Sequence, residues 1–373
     1  MTESEAFAIL TSTPGLGHAK IRLLIERFGT AAASLEKSAH DLEGLAGFDK
    51  IIPTWGQWDK NLTWKQDLHL ADTLGARLVP YTDPLFPKHL LEIPDHPVLL
   101  YMRGEFKPQD QRSIAIVGTR QASIYGIEMA EAIGKELAAS GFTVISGLAR
   151  GIDTAAHKGA LVKGRTIAVI GSGLADIYPP ENLSLANKIP EHGILISEFS
   201  MSTPPDRQNF PQRNRIVSGM SLGTVLIEAP VKSGAMITME RASQHKRKLF
   251  ALPGRADAES FKGNHLLIKR GQAHLIESAA DIISHFEGLF PKVQKDLFDY
   301  QAPHLDPGES ALLELMPAEE IGIDALTLLS HLPVHQVHTT LMGLVLKKVV
   351  KEYPGKIYKK IAALNDQKRH NWG

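Results

Sequence analysis

Ile114-Ala115-Ile116-Val117-Gly118-Thr119-Arg120 is the stretch on which the fold reading turns: an apolar run that stops at a glycine, a hydroxyl and a guanidinium. Short apolar runs recur at Thr143–Ile145, Thr166–Ile170, Ile194–Ile196, Thr224–Ile227, Leu249–Leu252 and Ala273–Ile276. Segments of helical character separate most of them, for example Ile127–Ala139, Thr154–Val162 and Ala235–His245. Continuous apolar strands alternating with helices predict a mostly parallel sheet covered on both faces, with right-handed crossovers. The expected fold class is therefore α/β, a doubly wound Rossmann-like domain. Ligands of such sheets sit beyond the carboxyl ends of the strands. There the chain places Gly118-Thr119-Arg120, then Gly147, then Gly171-Ser172-Gly173, Glu198, and Pro230 to Gly234.

These loops are not those of a dinucleotide site. Arg120 stands where a second glycine would let a pyrophosphate approach the backbone, and Gly171-Ser172-Gly173-Leu174-Ala175-Asp176 lacks the third glycine. Tyr178-Pro179-Pro180 then blocks an immediate helix. A Walker A loop is absent, so no P-loop hydrolysis is expected, and no cofactor is expected. An arginine among backbone N–H groups at a strand end suits a phosphodiester instead, since guanidinium binds phosphate bidentately.

Charge points the same way. The chain has 41 Lys+Arg and 41 Asp+Glu, a formal net charge of zero, yet residues 207–270 hold 12 basic residues against 4 acids. A local basic field on a neutral protein is the footprint of a polyanion site; scattered solvated lysines are the bland alternative. Within that stretch, Asn209-Phe210-Pro211-Gln212-Arg213-Asn214-Arg215 sets a ring beside Arg207, Arg213 and Arg215. An unstacked base over an aromatic face with its backbone on cations fits that pattern. A core phenylalanine and structural ion pairs are the competing readings.

At 373 residues, two or three domains are expected. We place a small N-terminal helical module at 1–100, the α/β domain at 101–290, a Pro/Gly linker at 291–307 and a C-terminal domain at 308–373. No cysteine is present, which removes disulfides and thiolate sites and suits the reducing cytoplasm. The acidic start, Met1 to Glu5, lacks a signal-peptide pattern, and apolar runs such as Leu341 to Leu346 fall short of a spanning helix. No membrane association is expected.

The loops carry a resemblance. Ile116-Val117-Gly118-Thr119-Arg120, then Ser146-Gly147-Leu148-Ala149-Arg150-Gly151-Ile152-Asp153, Tyr178-Pro179-Pro180-Glu181-Asn182, Asn209 to Ile216, Lys232-Ser233-Gly234-Ala235 and Gly263-Asn264-His265-Leu266-Leu267-Ile268 follow one another in order. Together they resemble the DNA-processing protein A (DprA/Smf) family over about 113–277. The resemblance implies a non-catalytic protein that binds single-stranded DNA, protects incoming strands in natural transformation and loads RecA recombinase, as a homodimer. It implies DNA contacts at Gly118, Thr119, Arg120, Arg207 and Phe210, with Thr119 where the family has Ser. Gly147, Ser172 and Gly173 fall on pocket-lining loops, and Arg213 and Lys232 complete the implied set.

The flanks are read by pattern. Thr13-Pro14-Gly15-Leu16-Gly17-His18-Ala19-Lys20 is a Gly-x-Gly turn between helical segments, similar to a SAM or helix–hairpin–helix module; plain helical packing reads equally well. The C-terminal domain resembles a winged helix, but Leu305–Leu346 carries six acids and no Lys or Arg, so it is not expected to grip phosphates. His331, His335 and His338 have near-helical spacing, but Pro333 interrupts them and no metal is expected. Two other classes remain: a nucleotide phosphoribohydrolase-like enzyme, faintly echoed by Gly223-Thr224 and Glu228, and a structural adaptor that has lost its ligand.

Overall fold

The computed structural model describes residues 1–60, 62–288, 304–347 and 349–361; residues 291–303 of the expected linker and residues 362–373 of the expected C-terminal domain lie outside them. The chain divides into two compact units, Met1–Gln294 and Lys295–Gly373.

The first unit opens with helices α1 (Glu3–Ser12), α2 (His18–Phe28), α3 (Ala31–Leu35) and α4 (Thr63–Thr73). The hairpin between α1 and α2 turns at Gly15, and Lys20 Nζ donates to Gly15 O at 3.0 Å. Strand β1 (Ala76–Pro80), the short helix α5 (Lys88–Leu91) and β2 (Leu99–Gly104) follow. The doubly wound part then runs β3 (Ser113–Val117), α6 (Ile124–Ala139), β4 (Thr143–Ser146), α7 (Ile152–Lys163), β5 (Thr166–Val169), α8 (Leu183–His192) and β6 (Gly193–Ser197). It continues through α9 (Asn209–Gly219), β7 (Gly223–Leu226), α10 (Gly234–Gln244), β8 (Lys248–Ala251), α11 (Lys262–Lys269), β9 (His274–Leu275) and α12 (Ala279–Ser284).

Among the described residues these nine strands form one sheet in the order β1-β2-β6-β5-β4-β3-β7-β8-β9. Every pair from β6 to β9 is parallel; β2 is antiparallel to both its neighbours. The predicted α/β class and mostly parallel sheet are thus observed. The stretch expected as a helical N-terminal module, 1–100, also supplies β1 and the first residues of β2, and β2 joins β6 through the register Tyr101↔Ser197. The physical reason is that β6 would otherwise leave a row of backbone groups unpaired at the edge.

Alternate residues of β3 serve opposite layers. Ile114 and Ile116 pack with Ile133 and Leu137 of α6 and Ala156 of α7, while Ala115 and Val117 pack with Ile216 of α9, Met239 of α10 and Leu267 of α11. Both faces are buried, which is why these strands read as unbroken apolar runs. The chain leaves β3 toward β4, β5 and β6, then returns along α9 to β7 on the other side of β3. The loops at the carboxyl ends of β3, β4 and β5 therefore gather on the side where α9 crosses.

The second unit contains α13 (Pro307–Leu315), β10 (Ile321–Gly322), α14 (Ile323–Ser330), α15 (Val334–Leu346), β11 (Val350–Tyr353) and β12 (Ile357–Lys360), with an antiparallel sheet ordered β10-β12-β11. Leu312, Leu326, Leu341, Leu344 and Tyr358 form its core. This helix–helix–helix and hairpin arrangement is the expected winged helix. Asp306 caps α13, accepting from Glu309 N at 2.8 Å while Glu309 accepts from Asp306 N at 2.9 Å.

Candidate nucleic-acid interface

Phe210 and Arg213 lie three residues apart on α9 and so share one of its faces. Pro211 costs the helix nothing, because the amides of the first turn have no intrahelical partner. The shared face looks onto the carboxyl ends of β4 and β5. Phe210 rests on Gly171, where an added Cβ would stand 2.8 Å from the ring. Tyr178 supports it from the β5 loop, ring centroids 5.7 Å apart. Arg120, exposed after β3, lays its guanidinium over the same ring, 5.2 Å from the centroid, and makes no ion pair among the described residues. Gly147, Ala149 and Arg150 complete the cleft from the β4 loop, with Pro179 beside Tyr178.

Under this cleft lies a buried cation. Arg213 is 3% exposed, and its Nη1 donates to Val169 O. Its guanidinium lies flat against Gly147, leaving no room for a Cβ there. Burial pushes its pKa down to about 10, with Asp153 pulling it back up and Arg120 adding to the fall. Asp153 is buried too, which raises its carboxyl above the usual range. Arg213 opposes that rise, as do the hydrogen bonds from Gly147 N (3.1 Å) and Ala149 N (3.3 Å). Those amides are therefore spoken for and are not free to cradle a ligand. His157, fully buried, donates from Nδ1 to Thr166 Oγ1 at 2.7 Å, since that hydroxyl already donates to Val144 O. Its Nε2 is left bare, and burial, with Arg213 as the second cause, depresses its pKa to about 3.

The remaining predicted residues distribute unevenly. Gly118 and Thr119 lead into Arg120, with Thr119 N donating to Glu228 O at 2.7 Å. Arg207 is exposed just ahead of α9 and makes no ion pair among the described residues. Ser172 is 1% exposed, its hydroxyl donating to Asp176 O at 2.5 Å, and Gly173 lies buried under the carbonyls of Ser200 and Met201. Both shape the β5 loop from within and do not line the cleft. Lys232 is exposed and lines a different groove, with Val231, Met236 and Arg270. Arg215 forms the structural ion pair with Glu198. Glu228 is 1% exposed and accepts from Ser123 N (3.0 Å) and Oγ (2.7 Å) at the start of α6. It occupies the helix N-terminus that a nucleotide phosphate would need.

Arg150 and Tyr178 line the cleft although neither is among the residues expected to contact DNA. For Tyr178 the signal was present: an aromatic residue within the loop that follows a parallel strand.

Anchoring of the loop before α9 comes from the N-terminal helices. Asp67 on α4, 2% exposed, accepts from Ser200 Oγ at 2.7 Å, Met201 N at 2.9 Å and Tyr101 Oη at 2.8 Å.

With this geometry in place, comparison with known proteins is specific. A family model described as DNA recombination-mediator protein A matches residues 77–287, and a DprA winged helix domain model matches 299–356. Protein Smf of Synechocystis and of Escherichia coli are each 37% identical over 267 and 286 residues. Those matches span 69% and 74% of this chain and 66% and 76% of the two relatives. The X-ray structure of DNA processing protein A from Streptococcus pneumoniae superposes with TM-score 0.66 at 33% identity, covering 77% of this chain and 99% of that one. A structure of DNA processing protein A from Helicobacter pylori, described for its single-stranded DNA binding mode, gives TM-score 0.51 at 30% identity, covering 56% and 95%.

Proposed function

The chain belongs to the DNA recombination-mediator protein A family, and from that premise we propose that it binds single-stranded DNA in the cleft of Arg120 and Phe210. It does so without catalysis, protecting incoming strands in the cytoplasm and handing them to RecA recombinase in natural transformation. The observation that carries the reading is an exposed guanidinium, in no ion pair among the described residues, set over a half-buried ring at the carboxyl end of the sheet. A phosphate meets the cation and a base meets the π face, a combination indifferent to sequence. Arg207 adds a second exposed cation ahead of α9, and Lys232 serves a longer strand in its own groove. Gly147 and Arg213 act from below, by keeping the floor flat and positive. Handover to RecA and homodimerisation extend this reading as what the resemblance implies, motivated by the match to a recombination mediator.

Fluorescence anisotropy with labelled oligo-dT and a matched duplex at two salt concentrations tests the proposal. Single strand is expected to bind more tightly, and binding to weaken steeply with salt as counterions are released. Salt-insensitive binding, or preference for duplex, overturns it.

A further inference from the structure

Arg150 belongs to two neighbouring clefts. One is the cleft of Arg120 and Phe210; the other is lined by Arg150, Thr154 and Lys158 together with Glu131, Glu181 and Asn182. At the boundary, Arg150 Nε is hydrogen-bonded to Glu181, and the two side chains are 54% and 47% exposed. The two loops are tied together beside it: Asn182 Nδ2 donates to Leu148 O and to Thr154 Oγ1, both at 2.8 Å. An ion pair this exposed contributes little in water, so a polyanion bringing several phosphates competes with it easily.

We infer that Arg150 is a further phosphate contact of the cleft, held in reserve by Glu181, and that the pair opens as a strand passes from the Phe210 cleft toward Lys158. This inference rests on the single-strand reading above. Lys158 is exposed on α7 and gives the strand a cation beyond Arg150, which Arg120 and Phe210 alone do not supply.

The test is a double-mutant cycle on the full chain, read by anisotropy with oligo-dT across salt. Arg150→Ala is expected to weaken binding and to make the logarithmic salt slope shallower by about 0.7, the loss of one single-strand phosphate contact. Glu181→Gln is expected to tighten binding about two- to fivefold, the range an exposed ion pair of this kind allows. That gain should vanish when Arg150 is already alanine. A gain that persists there reports only the loss of a nearby negative charge and overturns the inference, as does an unchanged Arg150→Ala. Lys158→Ala should weaken a long oligo-dT more than a short one; equal losses refute the direction of travel. If the unmodified chain fails to bind oligo-dT at all, the single-strand reading falls first, and visibly so.

Discussion

The sheet-end cleft of the first unit and the winged helix of the second have folds of the kind that meets nucleic acid, yet their charge is opposite. The cleft presents Arg120 and Arg150 around an aromatic ring, with Arg207 exposed three residues before it. The winged helix carries six acids and no Lys or Arg between Leu305 and Leu346, and Lys347, the next cation, pairs with Glu309. Its surface around the α14–α15 turn is apolar, with Leu328 76% and Val334 55% exposed. A helix without cations gains almost nothing from counterion release, however well its shape fits a groove. Fold class therefore says where a ligand can sit, and side-chain charge says whether a phosphate will.

The contrast is tested most severely at the floor of the cleft. Arg213→Met should cost about 1–3 kcal/mol of unfolding free energy, because it leaves Val169 O without its buried donor and removes the positive charge that favours the Asp153 carboxylate. Arg213→Lys should rescue little, since a point-charge ammonium does not reproduce a planar group lying on Gly147. Denaturant melts decide it; a stable Arg213→Met chain would mean the floor is not built around this cation.

Next comes the ligand face. Phe210→Ala should reduce oligo-dT affinity by about 1–3 kcal/mol with the salt slope nearly unchanged, because stacking is lost and no phosphate contact is. Arg120→Ala should weaken binding and make the slope shallower by about 0.7. Identical slopes for the two variants would contradict separate roles, and an unfolded Phe210→Ala would restore the ring to the core.

A smaller effect is expected from pH. His157 and His18 are held neutral, with pKa values of about 3 and about 4, by burial first in both cases. Their unfolded values lie near 6.5, so the unfolded chain binds more protons below that pH and stability falls as pH falls. The slope rises from about 0.7 kcal/mol per pH unit for each histidine at pH about 6.5 toward about 1.4 at pH about 5. Asp153, raised by burial, acts in the opposite sense at lower pH. His157→Gln should flatten the profile in that window; an unchanged profile refutes its part in it.

The smallest change is predicted for the winged helix. A chain ending at Gln294 retains the whole first unit and should bind oligo-dT within about threefold of the full chain, since no cation precedes Lys347 in the second unit's described part. A tenfold loss, with the oligomeric state preserved, would show that the second unit holds DNA and erase the contrast.

The parallel strands were legible because both their faces are buried, so Ile114–Val117 and its successors appear as unbroken apolar runs. Strand β1 was not: Arg77 is exposed and Pro80 closes the strand, the marks of an edge rather than of a core. In the site, Arg120 and Phe210 were legible as a cation at a strand end and a ring beside basic residues, and the structure brings them to 5.2 Å. Ser172 and Gly173 were legible only as loop residues, and the same loop turns both inward.

By itself the sequence determined the alternation of strands and helices, the basic character of 207–270, the acidic character of 305–346 and the residue types at each strand end. These are local properties, set by periodicity and composition. Tertiary structure alone decided which of the 12 cations in residues 207–270 face water. Arg213 and Arg215 are buried and Arg247 pairs with the distant Glu92, while Arg207 and Lys232 stay exposed. It also decided that Arg150, from the β4 loop, would meet Glu181, from the segment ahead of α8. Charges far apart in the chain find or miss their partners through packing, and desolvation then separates a structural arginine from one left for a ligand.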